Sequence, residues 1–318
     1  MRSRNVVVGL ATAALALCAA LCTGCGGNGA GSPASPTPGG PGSGTGGFGA
    51  PPVPDEVIVG AGDIAGCGVG DSEATAKLLD RMPGVVFTLG DNVQDQGTAE
   101  EYAKCFDPAW GRHRWRMLST AGNHDWYGGH GSPYFAYFGT SAGPAGLGYY
   151  SMTVGAWHLV VLNTNLPAGE PSAQYRWLKD DLEASPAACT IMLWHEPLFT
   201  SGRAENATFM RDVWRLAQQH GVDVVLNGHN HAYERFAPQD ADGRADPRGP
   251  RQFVVGTGGY PLYARTRSQP NSQIYESDTW GVLRLTLKTG LYEWEFVPVA
   301  GKTFRDSGSS ACVVVPSG

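Results

Sequence analysis

Five short polar segments recur in one order along this chain of 318 residues: Gly62-Asp63, Gly90-Asp91-Asn92, Gly122-Asn123-His124-Asp125, Trp194-His195-Glu196-Pro197 and Gly228-His229-Asn230-His231. Four of them follow apolar, mostly β-branched runs: Val57-Ile58-Val59, Val85-Val86-Phe87, Ile191-Met192-Leu193 and Val222-Asp223-Val224-Val225-Leu226. Only the third has a weaker lead, Trp115-Arg116-Met117-Leu118. Such runs read as buried strands, each delivering a polar group at its C-terminal end. One segment would mean little, because a lone Asp after a strand is usually a turn former or a helix cap. Five in sequence, all of metal-binding residue types, require a fold whose strand ends converge on one site.

Between these segments the helical periodicities fall at 71 to 81, 98 to 106, 172 to 184 and 207 to 220, with caps at Asp71 and Ser172 and stops at Pro83-Gly84, Pro186 and Gly221. Residues 149 to 154 and 157 to 163 read as a hairpin, and 252 to 255, 282 to 287 and 293 to 297 as later strands. Strands alternating with helices and then hairpins predict an α/β domain of two mixed sheets flanked by helices, spanning residues 55 to 318.

The chain's start reads differently. Residues 1 to 25 have the form of a secretory leader, with Arg2 and Arg4 ahead of an apolar stretch from Val6 to Leu21 that is too short to favour a membrane span. Leu21-Cys22-Thr23-Gly24-Cys25 resembles a bacterial lipobox, which implies lipidation of Cys25 and a membrane tether on the outer face. Plain secretion is the alternative. Residues 26 to 54, almost all Gly, Pro, Ser, Ala and Thr, read as a flexible linker.

Of seven cysteines, three lie in the leader, leaving Cys67, Cys105, Cys189 and Cys312 for an exported domain. Cys67 and Cys105 both follow early site segments, whereas Cys189 opens a strand and Cys312 lies near the C-terminus. Pairing 67 with 105 and 189 with 312 is therefore expected over a zinc site, for which no C-x-x-C spacing exists. The net charge is -6, and without Arg2 and Arg4 the 23 basic residues become 21 against 29 acidic ones, or -8. That balance excludes a nucleic-acid footprint, so an anionic substrate has to be drawn by local positive charge such as bound metal ions.

Asp63 and Asp91 offer hard oxygen ligands, Asn123 a carbonyl oxygen, and His195, His229 and His231 imidazole nitrogens suited to zinc, iron or manganese. These residues resemble the calcineurin-like metallophosphoesterase superfamily, most nearly its purple acid phosphatase-like branch. The resemblance spans Asp63 to His231. It implies a four-layer α/β/β/α sandwich, a dinuclear metal centre at the strand ends and hydrolysis of phosphate esters. By position, Asp63, Asp91 and His231 would hold one metal, and Asp91, Asn123, His195 and His229 the other. A hydroxide bridging the two ions would attack phosphorus, and His124, beyond the ligands, would act as acid, with Asp125 or another nearby carboxylate holding its tautomer.

Two departures narrow the expectation. Many family members carry a histidine where this chain has Ala65, and true purple phosphatases a tyrosine where it has Gln94. Exchanging a phenolate for an amide and a trivalent ion for a divalent one leaves the site charge unchanged, so two divalent metals and no purple chromophore are expected. Gln94 is expected either to hydrogen-bond His124 or to serve as a weak carbonyl ligand, the former first. Arg203 and Tyr233, with Arg235, are candidates for substrate contact; Trp126 and Tyr127 could wall the site, and Gly256-Thr257-Gly258-Gly259 reads as a tight turn near the metals. The function expected is a phosphomonoesterase acting on a small phosphoester. The alternatives are a phosphodiesterase or nucleotidase on the same site, and a surface lipoprotein that has lost catalysis and serves binding.

Overall fold

The protein is described by a computed structural model covering residues 55–314. The leader, Cys25 and the linker of residues 26 to 54 lie outside the described residues. In chain order the elements are β1 (Glu56–Ala61), α1 (Ser72–Leu79), β2 (Val85–Thr88), α2 (Ala99–Glu101, running into a π-helical turn Tyr102–Phe106), β3 (Met117–Leu118), α3 (Asn123–Tyr127) and α4 (Ser132–Phe138). The hairpin β4 (Tyr150–Val154) and β5 (Trp157–Val161) follows, then α5 (Ala173–Ala184), β6 (Cys189–Leu193), α6 (Arg211–Gln219), β7 (Val224–Asn227), β8 (Tyr233–Phe236), β9 (Arg251–Val255), β10 (Ser272–Glu276), β11 (Gly281–Lys288), β12 (Leu291–Pro298) and β13 (Ser307–Ala311).

Two mixed sheets result, one ordered β13-β12-β11-β1-β2-β3 and the other β10-β8-β9-β7-β6-β5-β4. Their packing follows from the two-residue period of strand side chains. Leu159, Val161, Ile191, Leu193, Val224, Leu226, Phe253 and Val255 enter the core shared with Ile58, Phe87, Leu283, Leu285 and Phe296 of the first sheet. Their neighbours Val160, Met192, Val225 and Val254 point the other way, onto Leu178 and Leu182 of α5 and Val213, Trp214 and Ala217 of α6. Both faces of the second sheet are thus covered, which is why β5, β6 and β7 carry hardly any polar residue. At about 1.5–3 kcal/mol for each large apolar side chain, burial on both faces is the main force closing the layers.

Local signals place the helices. Asp71 caps α1 by accepting from Ala74 N at 3.0 Å, and Ser172 caps α5 by accepting from Tyr175 N at 3.1 Å. Thr98 and Glu101 form a reciprocal capping box ahead of Tyr102. The third segment's weak lead is explained by β3, only two residues long, which pairs in parallel with Val86 and Phe87 of β2. Three strands escaped the sequence pattern. β13 has the composition Ser-Gly-Ser-Ser-Ala and is an edge, β10 is the other sheet's edge, and β8 carries the buried charge of Glu234.

Cys67 is bonded to Cys105 and Cys189 to Cys312, with Cα atoms 5.3 and 5.7 Å apart. The second bond spans 123 residues and fastens the chain end to β6, where Asp223 accepts from Thr190 N and Val313 N at 2.8 and 2.6 Å. Burial pushes the Asp223 carboxyl up to about 7 despite these two donors. Replacing Cys189 and Cys312 together by serine should lower the unfolding free energy by about 2–5 kcal/mol, through loss of a long cross-link in the unfolded chain. Denaturant unfolding under non-reducing conditions measures this, and an unchanged midpoint would rule it out.

Candidate metal centre

Asp63, Asp91 and Asn123 follow the parallel strands β1, β2 and β3, while His195 and His229 follow the parallel strands β6 and β7 of the other sheet. The loops after β1 and β2 stay paired beyond their strands, with Asp63 N donating to Gly90 O at 3.0 Å and Ile64 N to Asp91 O at 3.0 Å. Glycine lets the two sheets meet. A Cβ on Gly90, whose φ is 84°, would lie 2.4 Å from His195 Nδ1, and one on Gly122 would lie 2.2 Å from Asp91 Oδ1. Asp63, Asp91 and His229 adopt φ of 58°, 48° and 67°, three of the five left-handed non-glycine residues among the described residues. Such backbone costs about 1–2 kcal/mol each and persists where the surroundings dictate it.

The imidazole tautomers are set by backbone carbonyls. His195 Nδ1 lies 2.7 Å from Leu89 O, which only accepts, so Nδ1 carries the proton and Nε2 of the neutral ring presents a lone pair. That Nε2 faces Asn123 Oδ1 at 3.1 Å, His229 Nδ1 at 3.2 Å and Asp91 Oδ2 at 3.3 Å. Asn123 presents its oxygen because its amide nitrogen donates to Tyr127 OH at 2.8 Å. Two oxygens and two imidazole nitrogens therefore converge. Metal bonds of about 2.0–2.1 Å set tetrahedral ligand atoms roughly 3.3 Å apart, so these separations match a cation's first sphere.

Beside this group stands a second, smaller one. His231 Nδ1 donates to Pro261 O at 2.9 Å, and its Nε2 faces Asp63 Oδ1 at 3.2 Å. Asp63 is fully buried, and its Oδ1 has no hydrogen-bond donor, while Oδ2 accepts from His229 N at 2.8 Å. A buried carboxylate oxygen opposite a lone-pair nitrogen fits a cation for the same reason. Asp91 Oδ2 belongs to the first group, and its Oδ1 accepts from His124 N at 2.9 Å.

In the cation-free chain the charges redistribute around one proton. Burial disfavours charge on His195, but Asp91 beside it outweighs burial and raises the ring to about 10. Burial and the charge on His195 lower His229 to about 4. Burial also works against the Asp91 carboxylate, and His195 overcomes it, holding the acid well below its usual range.

His124 reaches the same rim, with Nε2 3.9 Å from Asp91 Oδ2, but Asp125 does not support it. The ring's Nδ1 pairs with Asp95 O at 3.0 Å. Asp125 lies three residues into α3 and turns back to clamp loops, accepting from Gly122 N at 2.8 Å, Asn92 Nδ2 at 2.9 Å and Tyr102 OH at 2.5 Å. Successive residues of a helix point in different directions, so this carboxylate cannot serve its neighbour's ring. Asp125 is thus a structural clamp, not a catalytic group.

Tyr233 is likewise corrected: it is buried, and its hydroxyl donates to Asp306 Oδ2 at 2.6 Å, as Arg235 Nε does at 2.7 Å. Strand β8 carries both away from the site. Gln94 is buried beside Asp91, donating weakly to Asp91 O at 3.4 Å, and its Oε1 has no donor. It makes no hydrogen bond to His124. Trp126 packs edge-on to Phe135 with ring centres 6.0 Å apart, while Tyr127 is exposed beside His124. The Gly256 to Gly259 turn closes on the site, with Gly258 N donating to Gly62 O at 2.9 Å.

Arg203 is exposed, its guanidinium 5.3 Å from the centre of the Tyr263 ring. Tyr263 in turn lies flat on His231, with ring centres 4.0 Å apart and planes 15° from parallel. Sequence reasoning missed Tyr263 and Tyr260, which meets the same imidazole edge-on, because both sit in an irregular segment with no periodic pattern.

Three comparisons bear on this arrangement. Purple acid phosphatase 15 of Arabidopsis thaliana is 35% identical over 131 residues, covering 39% of this chain and 24% of the relative. The probable purple acid phosphatase 20 of the same plant is 26% identical over 256 residues, 71% of this chain and 58% of the relative. Less than two thirds of either relative is therefore spanned. A purple acid phosphatase from yellow lupin (Lupinus luteus) seeds superposes with a TM-score of 0.68 at 19% identity, over 81% of this chain and 54% of that one, and so shares the fold. Residues 57–233, more than half of the sequence, match the calcineurin-like phosphoesterase model, and the chain belongs to that family.

Proposed function

We propose that this protein hydrolyses phosphate monoesters with two divalent cations held by Asp63, Asp91, Asn123, His195, His229 and His231. The observation that carries the reading is the convergence of His195 Nε2, Asn123 Oδ1, Asp91 Oδ2 and His229 Nδ1, with His195 Nε2 at 3.1–3.3 Å from the other three. Two bound cations supply Lewis acidity at the phosphoryl oxygens and an activated water. The protein's own groups do the rest. Asp91 holds the two sites in register, Leu89 O and Pro261 O fix the tautomers of His195 and His231, and Asp95 O orients His124 so that Nε2 faces the site. As imidazolium, His124 donates the Nε2 proton to the departing alkoxide.

The two cation sites are unequal. One offers four converging side-chain atoms, the other Asp63, Asp91, His231 and the unpartnered Oε1 of Gln94, which we assign as a weak neutral ligand. With no phenolate at position 94, both ions are divalent in this reading and the protein is colourless. We also propose export, which the two disulfides support, and within that reading Cys25 as a lipid tether.

Metal-reconstituted protein should cleave an aryl phosphate and spare a bis-aryl phosphodiester, with His124→Ala lowering kcat by roughly 100- to 10,000-fold at unchanged metal content. Preferred cleavage of the diester would reassign the protein as a phosphodiesterase, and cleavage of neither with manganese, zinc or iron would end the catalytic reading. Zinc titration of chelator-stripped protein should show two steps, the tighter abolished in His229→Ala and the weaker in His231→Ala. A visible charge-transfer band in protein purified with its native metals would contradict the divalent pair.

A further inference from the structure

Arg203 differs from the ion-paired arginines of the domain and, like Arg265 over the Tyr275 ring, sits on an aromatic face. Arg112, Arg211 and Arg235 are matched to Asp80, Asp242 and Asp306. Arg203 pairs with no carboxylate among the described residues, Glu205 of its own loop included, and rests over the Tyr263 ring. Its loop is anchored on both sides. Glu234, buried in β8, accepts from Ser201 N at 2.8 Å, and Thr266 N and Arg267 N donate to Ser201 O at 3.1 and 3.0 Å. Gly202 lies against the Asn230 side chain, where a Cβ would come within 2.0 Å of Oδ1, and Tyr263 N donates to His231 O at 2.7 Å. The loop after His195 and the segment that bears Tyr263 are therefore fastened to each other and to the His229-Asn230-His231 motif.

An unneutralised guanidinium held over an aromatic face keeps its charge available for an anion at low entropic cost. The Tyr263 ring centre lies 4.0 Å from the His231 ring and 5.3 Å from the guanidinium carbon, so the charge stands one aromatic ring away from the His231 imidazole. We propose that Arg203, seated on Tyr263, binds a second anionic group on the alcohol portion of the substrate. The protein then selects phosphomonoesters whose leaving group carries a carboxylate or a further phosphate over those whose leaving group is neutral. This rests on the phosphomonoesterase reading. It assigns specificity to Arg203 and a positioning role to Tyr263.

The test compares 4-carboxyphenyl phosphate with 4-carbamoylphenyl phosphate, a pair of similar shape that differs in charge. Their non-hydrolysable phosphonates are titrated by calorimetry into the metal-loaded protein. The carboxylate should be favoured roughly fivefold in kcat/KM and in phosphonate affinity, as expected for a partly solvated, charge-assisted contact. That ratio should fall towards one in Arg203→Gln and in Tyr263→Ala, and persist in Tyr263→Phe, which keeps the ring. A ratio near one in the unaltered protein, a ratio unchanged by Arg203→Gln, or an equal loss for both ligands would overturn the proposal. If neither ester is hydrolysed, the phosphomonoesterase reading falls, while the phosphonate affinities still decide the role of Arg203.

Discussion

Lone pairs that face one another inside a protein repel unless a cation or a proton lies between them, and the site of this protein is organised around that constraint. His195 Nε2 is aimed by a backbone carbonyl at Asn123 Oδ1, Asp91 Oδ2 and His229 Nδ1, and His231 Nε2 is aimed in the same way at an unpartnered oxygen of Asp63. Without a cation the cluster keeps a proton, held on His195 by Asp91 against the pull of burial. Such an arrangement suits a cation.

Holding acceptors together against their repulsion demands a stiff frame. Left-handed backbone at Asp63, Asp91 and His229 turns each strand's continuation sharply inward, and glycines at 90 and 122 admit the neighbouring loops at distances no side chain would tolerate. Asp125 then ties the Asn92 loop, the Gly122 turn and the Tyr102 hydroxyl into one unit from beneath. Burial and the charge on Asp91 raise the Asp125 carboxyl to about 6, even though its hydrogen bonds favour the charged form. A conspicuous acid beside His124 therefore serves the fold. The layers of apolar side chains on both faces of β5, β6 and β7 supply the rigidity behind this frame.

Around the rigid centre two irregular segments form one wall. The segment from Tyr260 to Arg267 donates backbone hydrogen bonds to Ser201 O in the segment after His195 and to His231 O. Substrate choice on a shared phosphoester-cleaving centre resides in such loops. Arg203 rests there over Tyr263, and Tyr263 lies stacked on His231.

The sequence by itself determined the layered α/β class, the helices whose caps and stops it spells out, the disulfide partners and the set of Asp, Asn and His residues that meet at the strand ends. These were legible because they rest on local rules: strand runs bury both faces, caps sit at fixed offsets, and ligand types follow strand ends. Contacts between distant segments obey no such rule. Only the tertiary structure decided that Asp125 turns away from His124, that Tyr233 and Arg235 serve Asp306, and that Tyr263 covers His231. Direction within a short helix, the fate of an edge strand and the path of an irregular loop depend on what packs against them. For that reason the ligand set could be read along the chain, whereas its supports and its substrate wall could be read only in space.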